Sequence, residues 1–274
     1  MKTLNIIGAG RVGQTLGRLW MASGMYRVQE VIARSVESAG RAVDFIGGGQ
    51  TSTDLAKMPD ADVWMLSVPD THIAPTAQAL AALTTPAGPV RPALAFHCSG
   101  ALSSDVLEPL RTAGWQVASC HPLLSFAQPE LALAQFAGTP CALEGDAQAV
   151  AELQSALKHI SAQCFTLAEQ DKLLYHAGAV FATNFLPVLQ HVAEQLWQHS
   201  GMPDDLIRQM RATLLQNAVN NIVALGPKAA LTGPAARGDV ALVTQQGQAV
   251  AEWNPDAGQA YAALSQLASQ LARR

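Results

Sequence analysis

The N-terminal segment of the chain places a glycine-rich turn between an apolar strand and a helical pattern. Thr3-Leu4-Asn5-Ile6-Ile7 leads directly into a G-x-G-x-x-G motif, and a helical pattern follows from Gln14 to Ala22. In this order the first glycine permits a tight turn, the second lets a pyrophosphate approach the backbone, and the third lets the helix pack close to the strand. The N–H groups and the positive dipole end of the helix then face the anion.

The motif therefore predicts a dinucleotide site, and a glycine-rich turn without a ligand is the alternative. The predicted cofactor-binding residues of this turn are Gly8, Ala9, Gly10, Arg11, Val12 and Gly13.

The end of the second apolar strand, Val28 to Ala33, indicates which dinucleotide is bound. It is followed by Arg34 and Ser35. An acidic residue at this position would bind the ribose 2′-hydroxyl of NAD, whereas an arginine accommodates the 2′-phosphate of NADP. A guanidinium matches a phosphate in geometry, and the serine hydroxyl adds a donor. The sequence therefore favours NADP(H), with NAD(H) possible and a solvated surface role for Arg34 as the alternative.

Composition limits the class of protein. The chain has 274 residues, enough for two domains, and 49% of them are hydrophobic. A net charge of −4 argues against nucleic acid or an anionic membrane as a partner. The longest apolar stretch, Leu173 to Leu189, contains His176, Asn184 and Pro187, so we expect no membrane span. Because the first residues already form a strand, we expect no signal peptide, and four cysteines without C-x-x-C spacing suggest buried thiols in a reducing cytoplasm.

Strands and helices alternate up to residue 168 and only helices are expected after it. The pattern predicts an α/β fold: an N-terminal doubly wound, mostly parallel Rossmann domain over residues 1–168 and an all-helical domain for substrate binding and dimerisation over residues 169–274. Glu169 to Gln198 reads as one long helix. Pro187 lies inside it and predicts a kink, because proline cannot donate a hydrogen bond to the carbonyl of Thr183. Further on, Gly226-Pro227 is expected to break a helix, Thr232 to Gly238 reads as a loop, and Asp239 and Asn254 are expected to cap the last two helices.

Ligands of open α/β sheets bind at the carboxyl ends of the strands, so polar residues at those ends are candidates for the site. At the end of the strand Val63 to Val68, residues Ser67, Val68 and Pro69 are expected to lie against the pyrophosphate and the nicotinamide-side ribose. Asp70 or Thr71 is expected to cap the next helix.

Two further strand ends carry histidine. His97 is followed by Ser99 and Gly100, which could hold a carboxylate or carbonyl oxygen, and a later strand, Gln116 to Ser119, is followed by Cys120 and His121. Each histidine could be an acid, a substrate ligand or a structural residue. His97-Cys98 and Cys120-His121 also suggest zinc, but neighbouring strand residues point to opposite faces, so we expect no metal site.

The helical half carries the remaining candidates. At 100° per residue, Lys172, His176 and Thr183 share one narrow face, with Asn184 at its edge. Lys172 or His176 could donate a proton as hydride arrives, and Asn184 could orient the substrate. The alternative is an exposed lysine and a histidine that bonds nearby backbone. Arg237, in Gly233-Pro234-Ala235-Ala236-Arg237-Gly238-Asp239, could bind an anion of the substrate.

This ordered set of motifs resembles one family over nearly the whole chain. The quoted segments are the glycine loop, Val68-Pro69-Asp70, His97-Cys98-Ser99-Gly100, His121-Pro122-Leu123, Lys172 through Tyr175-His176 to Asn184, and Thr232-Gly233-Pro234 to Asp239. The resemblance is to Rossmann-like proteins with a C-terminal domain of unknown function, number 2520. Cys98 replaces the threonine of the family's His-Thr-Ser-Gly.

The wider relatives are 6-phosphogluconate, hydroxyisobutyrate, ketopantoate and pyrroline-carboxylate reductases and dehydrogenases. The resemblance implies an oxidoreductase without an assigned substrate, usually dimeric. It also implies an acid–base lysine on the long helix, with an asparagine one or two turns later. Lys172 matches that lysine, and His176 stands one turn on.

We therefore expect a cytoplasmic homodimer that transfers hydride between NADP and a small carbonyl, imine or hydroxy compound. The expected catalytic residues are Lys172, His176 and His121, and the expected substrate ligands are His97, Ser99, Gly100, Asn184 and Arg237. The alternatives are a sensor or scaffold that binds NADP(H) without turnover, and a structural protein with a vestigial cofactor fold.

Overall fold

The computed structural model of the protein describes residues 1–84 and 90–273. The chain divides into two compact units, Met1–Thr183 and Asn184–Arg274. The first unit includes residues 169–183, which the sequence assigned to the helical half, and the domain boundary at residue 168 stays a prediction.

The first unit is built on an eight-stranded sheet in the order β3-β2-β1-β4-β5-β6-β7-β8. All neighbours pair in parallel except β6 and β7, which are antiparallel. The doubly wound, mostly parallel sheet expected from the sequence is confirmed. The strands are β1 Lys2–Ile7, β2 Tyr26–Ile32, β3 Gln50–Ser52, β4 Val63–Leu66, β5 Leu94–His97, β6 Gln116–Pro122, β7 Pro140–Gly145 and β8 Gln163–Thr166.

The helices of this unit lie between consecutive strands, except for the last of them, which follows β8. They are α1 Arg11–Ser23, α2 Val36–Ile46, α3 Asp70–Leu83, α4 Glu108–Thr112, α5 Pro129–Gln135, α6 Ala147–His159 and α7 Lys172–Ala179. Short 3₁₀ turns cover Leu55–Lys57, Ser104–Leu107 and Glu169–Asp171. The sequence had not predicted β3 or α5. Both are short and lack a clear apolar period.

Two apolar clusters form the core. Leu4 and Ile6 belong to the cluster that contains Trp20, whereas Ile7 belongs to the cluster that contains Trp64. Because side chains alternate across a strand, these memberships place helices over both faces of the sheet. Trp20 also donates through its indole N–H to the carbonyl of Ala156, at 3.0 Å.

The first and third glycines of the motif are each required by neighbouring protein atoms. Gly8 has φ +87°, and a Cβ there would lie 2.6 Å from Val68 Cγ1. A Cβ on Gly13 would lie 2.4 Å from Ser67 Oγ and 2.7 Å from the carbonyl of Gly8. These contacts agree with the roles predicted for the two glycines: a left-handed turn and a close helix–strand approach.

The segment from Glu169 to Gln198 is not one regular helix, and this corrects the sequence prediction. A 3₁₀ turn precedes α7, and a π turn over Val180–Asn184 follows it before α8, Phe185–His199. The irregularity thus lies one turn before Pro187 rather than at it. A π turn is a common way to absorb a missing backbone donor, because it shifts the i→i−4 bonding pattern.

The second unit contains only helices among its described residues. After α8 these are α9 Asp204–Ala230, α10 Pro234–Arg237, α11 Val240–Trp253 and α12 Pro255–Arg273. The predicted break at Gly226 is confirmed by its non-helical φ of 77°. Asp239 and Asn254 accept from the N–H groups of Leu242 and Ala257, as caps do. The loop expected over residues 234–237 is a short helix instead.

Among the described helices, none combines the length and the apolar character that a membrane crossing requires.

The contacts of Gly13 predict that Gly13→Ala destabilises the first unit. The added methyl group would meet backbone and a short side chain, neither of which can move far. We expect a loss of about 1–3 kcal/mol in the free energy of unfolding. Urea denaturation measures it, with Gly40→Ala as the control, because a Cβ on Gly40 meets nothing within 4 Å. Equal stability of the two variants would contradict the prediction.

Candidate functional site

A cleft of about 980 Å³ opens at the carboxyl ends of β1, β2 and β4. Most of the predicted cofactor residues line it: Gly8, Ala9, Gly10, Arg34, Ser67, Val68 and Pro69. Residues that the sequence had not singled out also line it: Gln14, Ser38, Arg41, Asp44, His72 and Glu130. Residues that were predicted from the ends of three different strands thus lie in one cleft.

Gly10 differs from the other two glycines of the motif. A Cβ built on it would have only the carbonyl oxygen of Ser67 nearby, at 4.0 Å. Gly10 is also the N-cap of α1, and no side chain of the described residues caps that helix. The protein itself therefore does not exclude a side chain at residue 10, and the space above it lies beside uncapped helix N–H groups. This is the cradle that a pyrophosphate requires.

The other predicted residues of the turn have different places. Arg11 is exposed at the start of α1. Val12 is half-buried and packs against the core cluster of Leu4 and Ile6. Arg11, Val12 and Gly13 do not line the cleft by side chain, so only their backbone N–H groups are candidates for binding.

Two arginines, rather than one, line the cleft near the end of β2. Arg34 follows the strand, and Arg41 lies on α2 together with Ser38. Arg41 also forms an exposed ion pair with Glu37 and donates to Ser38 Oγ at 3.3 Å. Ser35, predicted as a phosphate ligand, is instead the N-cap of α2: its Oγ accepts from the N–H of Ser38 at 3.1 Å. The hydroxyl of Ser38, one turn further on, therefore lies at the cleft where Ser35 was expected.

The hydroxyl of Ser99 stabilises the loop that follows β5. Ser99 donates through its hydroxyl to Asp70 at 2.8 Å, and the same oxygen accepts from the N–H groups of Ala101 and Leu102. Asp70 is thus a ligand of this loop and not the predicted helix cap, which is Pro69. Since the Ser99 hydroxyl is fully engaged, its expected role as a substrate ligand is replaced by a structural one.

His97 is entirely buried and serves the same loop. Its Nδ1 accepts from the N–H of Ser99 at 3.2 Å, and its Nε2 lies 3.0 Å from the carbonyl of Ser103. This pairing makes Nε2 the protonated nitrogen. Burial lowers the pKa of His97 to about 4. His97 therefore has no ring nitrogen left for a substrate, and the structural alternative describes it.

Lys172 is 1% exposed, so the exposed alternative does not describe it, and its catalytic role stays a prediction. Its ammonium lies 2.5 Å from Ser119 Oγ, 3.4 Å from the carbonyl of Ser99 and 3.5 Å from Glu144 Oε1. Glu144 accepts in turn from the N–H and the hydroxyl of Ser104, at 2.7 and 2.8 Å. Burial lowers the pKa of Lys172, and Glu144 opposes that change.

Gly100 lies beneath two histidine rings. A Cβ on it would be 2.4 Å from His176 Nδ1 and 2.8 Å from His121 Nε2. The rings of His121 and His176 are 5.5 Å apart and nearly perpendicular. His176 Nδ1 is buried without a hydrogen-bond partner. This unpartnered nitrogen and His121 Nε2 thus both lie next to Gly100.

His121 is fixed from its other side. Its Nδ1 lies 2.9 Å from the hydroxyl of Tyr175. Burial, followed by the nearby His176 and Lys172, lowers the pKa of His121 to about 4. Burial raises the pKa of Tyr175 to about 12, so this hydroxyl keeps its proton. At neutral pH, His121 is therefore an uncharged ring that can act as a hydrogen-bond donor or acceptor.

Other predicted residues lie elsewhere. Thr183 is exposed, and its hydroxyl donates to the carbonyl of Ala179, so the polar face of the helix ends at His176. Asn184 and Arg237 belong to the second unit, and their substrate roles stay predictions. Among the residues described, no three His, Cys, Asp or Glu side chains are grouped as metal ligands would be.

Four residues of this network escaped sequence reasoning: Asp70 as a loop ligand, Ser119, Glu144 and Tyr175. Glu144 gave the clearest signal, because a carboxylate directly after the apolar run Cys141-Ala142-Leu143 needs a partner. Its partner, Lys172, is distant in sequence, so no local pattern pairs them.

The four cysteines are free thiols; Cys120 and Cys141 are buried, as predicted for all four, whereas Cys98 and Cys164 are half-buried. Burial raises the pKa of Cys98 and of Cys141 to about 12. These thiols stay protonated and unreactive at neutral pH.

The lowered pKa values of His97 and His121 predict a loss of stability in mild acid. In the unfolded chain both rings take up protons near pH 6.5, whereas the folded protein resists protonation until about pH 4. Stability from this source is present above pH 6.5 and is lost as the pH falls. The free energy of unfolding should drop on the order of 3 kcal/mol between pH 7 and 5.

Urea denaturation at several pH values measures this slope. His121→Gln should reduce the slope by about half, since one of the two rings remains. His72→Gln is the matched control, because His72 is exposed. A free energy of unfolding that is flat between pH 7 and 5 would disprove the prediction.

Two family models match the chain. A Rossmann-like domain matches residues 2–122, and a domain of unknown function, DUF2520, matches residues 139–268. No curated protein matches the sequence.

Solved structures share the fold along nearly the full length. A candidate NADP oxidoreductase from Bacteroides fragilis has 23% identity and a TM-score of 0.79, and protein TM1727 from Thermotoga maritima has 25% identity and a TM-score of 0.73. A pyrroline-5-carboxylate reductase from Coxiella burnetii has 15% identity and a TM-score of 0.55. In each case the match covers 98% of both chains.

The order of the two matched domains, the sheet and the whole-length structural similarity agree with one another. The chain is a Rossmann-like protein with a C-terminal domain of unknown function 2520.

Proposed function

We propose that the protein is an oxidoreductase that uses a nicotinamide dinucleotide, with NADP(H) favoured, to interconvert a small carbonyl or imine compound and its reduced form. The observation that carries the proposal is the buried Nδ1 of His176, which has no partner and lies beside Gly100 and His121 Nε2, next along the sheet edge to the cleft of the glycine motif. Buried polar groups without partners are costly and are retained mainly where a ligand completes them.

The cleft fits the cofactor in shape and in chemistry. The open face of Gly10 and the uncapped N–H groups of α1 suit the pyrophosphate. Arg34, Arg41 and Ser38 offer donors for a 2′-phosphate at the end of β2. Ser67, Val68 and Pro69 lead from the cleft toward the Gly100 loop, since Leu66 and His97 are paired in neighbouring strands. When bound, the nicotinamide supplies the hydride chemistry.

Reduction of a carbonyl carbon by hydride requires a proton at the oxygen, and reduction of an imine requires one at the nitrogen. His121 is suited to this position because Tyr175 holds its Nδ1, which leaves Nε2 at Gly100. With the hydroxyl of Tyr175 donating to Nδ1, Nε2 carries the proton. As that proton passes to the substrate, Nδ1 takes up the proton of Tyr175, so the ring stays neutral and the tyrosine is left as a phenolate. His176 is the second candidate for proton exchange. The Gly100 N–H can hold a substrate oxygen.

This assignment is consistent with the names of two similar structures, a candidate NADP oxidoreductase and a pyrroline-5-carboxylate reductase. It differs from the sequence prediction in one respect. Lys172 is removed from the catalytic set, because all three directions of its ammonium are used inside the protein.

We also retain the homodimer as a proposal. The long helix α9 exposes Val219, Ile222, Val223 and Leu225, with Val223 81% exposed. Such an apolar surface in water favours association, and in closed oligomers a two-fold dimer is the commonest form.

Dinucleotide binding tests the function, and Gly10→Ala is the sharpest variant. The added methyl group points into the space proposed for the pyrophosphate, so NADPH affinity should fall at least about tenfold. The free energy of unfolding should fall by less than about 1 kcal/mol, since only an N-cap changes. Fluorescence titration with NADPH and urea denaturation give the two values. Wild-type affinity in Gly10→Ala would remove the pyrophosphate assignment, and a wild-type protein that binds neither dinucleotide would overturn the function.

The two guanidinium groups predict the choice of dinucleotide. Arg34→Ala and Arg41→Ala should each weaken NADPH binding about tenfold or more and leave NADH binding nearly unchanged. Arg27→Ala is the matched control, because Arg27 is exposed on β2 and does not line the cleft. A parallel loss of both affinities would argue against a 2′-phosphate site, and tighter NADH than NADPH binding in the wild type would exclude it.

A further inference from the structure

Most of the buried polar groups of the first unit converge on one short loop, residues 99–104. His97, Ser99, Ser104, Ser119, Glu144 and Lys172 are each no more than 8% exposed. Every one of them is a member of the loop or hydrogen-bonds to it. The loop therefore has one strongly determined conformation, which is unusual for a surface connection.

Lys172 holds the loop at its centre. An ammonium donates three hydrogen bonds, and three acceptors surround this one: Ser119 Oγ, the Ser99 carbonyl and Glu144. Glu144 links the same charge to the N–H of Ser104 at the far end of the loop. Lys172 thus connects both ends of the loop to α7.

The peptide between Ser99 and Gly100 transmits this anchoring to the proposed site. The chain has no cis peptide among its described residues, so the Ser99 carbonyl and the Gly100 N–H point in opposite directions. Because Lys172 attracts the carbonyl, the N–H is directed away from it. Ser119 Oγ donates to the same carbonyl at 3.4 Å and itself accepts from Lys172, so the ammonium holds the peptide both directly and through this hydroxyl. Because glycine tolerates many backbone conformations, the peptide depends on these contacts for its orientation.

We propose that Lys172 is a positioning residue: its ammonium, balanced by Glu144, fixes the Ser99–Gly100 peptide so that the Gly100 N–H stays available to a substrate oxygen beside His121 and His176. The use of that N–H rests on the proposed function. The orientation of the peptide does not, and it can be tested without a dinucleotide.

The test compares two variants by NMR of isotope-labelled protein. Lys172→Met/Glu144→Gln removes the ammonium without leaving a buried carboxylate uncompensated. Glu144→Gln alone is the matched control, because it removes the balancing charge and keeps the donor. In the double variant we expect the Ser99 carbonyl ¹³C signal to move upfield, and the Gly100 amide signal to shift or broaden.

Further readouts separate positioning from general support. The pKa of His121 should rise in the double variant, because the charge of Lys172 lowers it in the wild type. NADPH affinity should stay within about twofold, because the cleft is not altered. In Glu144→Gln the Ser99 carbonyl signal should remain near its wild-type position. Wild-type Ser99 and Gly100 signals in a folded double variant would overturn the proposal.

If the double variant does not fold, NMR of the wild-type protein tests the proposal. A buried, fully bonded Lys172 ammonium should give a slowly exchanging ¹⁵N signal with contacts to Ser99 and Ser119. Exchange with water as fast as that of exposed lysines would overturn the proposal. If the wild-type protein does not bind NADPH, the proposed function is wrong, but the conclusion on the position of Lys172 still holds.

Discussion

The buried ion pair of Lys172 and Glu144 is the interaction on which the proposed site depends. Two charges placed in a protein interior are costly unless each finds further hydrogen bonds. Here both do, and nearly all of those bonds end on the loop after β5. The requirement to satisfy the charges therefore becomes a requirement that the loop adopt one shape, which is how an interior charge pair can contribute specificity without much net stability.

In the cofactor cleft, some residues are required by the fold and their neighbours face the proposed ligand. Gly8 and Gly13 are demanded by the packing of the protein on itself, whereas Gly10 is not. The motif thus contains two glycines that the fold requires and a third, Gly10, whose lack of a side chain leaves room for a ligand. A related separation holds near the end of β2, where Ser35 caps α2, whereas Arg34, Ser38 and Arg41 line the cleft and Arg41 also contacts Glu37 and Ser38.

The sequence predicted well what depends on short spacing. The glycine motif, the strand ends with Ser67 and His121, the caps at Asp239 and Asn254 and the break at Gly226 all follow from a few neighbouring residues. It predicted poorly what depends on distant partners. His97 and Ser99 looked available because their partners, Ser103 and Asp70, become neighbours only when the strands pair. Lys172 looked catalytic because the residue that buries its charge lies on another element of the fold. The π turn before Pro187 also could not be located, since a missing donor can be absorbed over more than one turn.

The position of Lys172 has a consequence for how the chain can be divided. A fragment that ended at residue 168 would contain every strand of the sheet and the complete glycine motif, and would look self-sufficient by sequence. It would also leave Glu144 inside the protein without the Lys172 ammonium, and would leave the Ser99 carbonyl with the Ser119 hydroxyl as its one donor among the described residues. The helix that begins at Lys172 therefore supplies the charge and the hydrogen bonds that Glu144 and the loop after β5 require. During synthesis, these contacts can form only after that helix has been made.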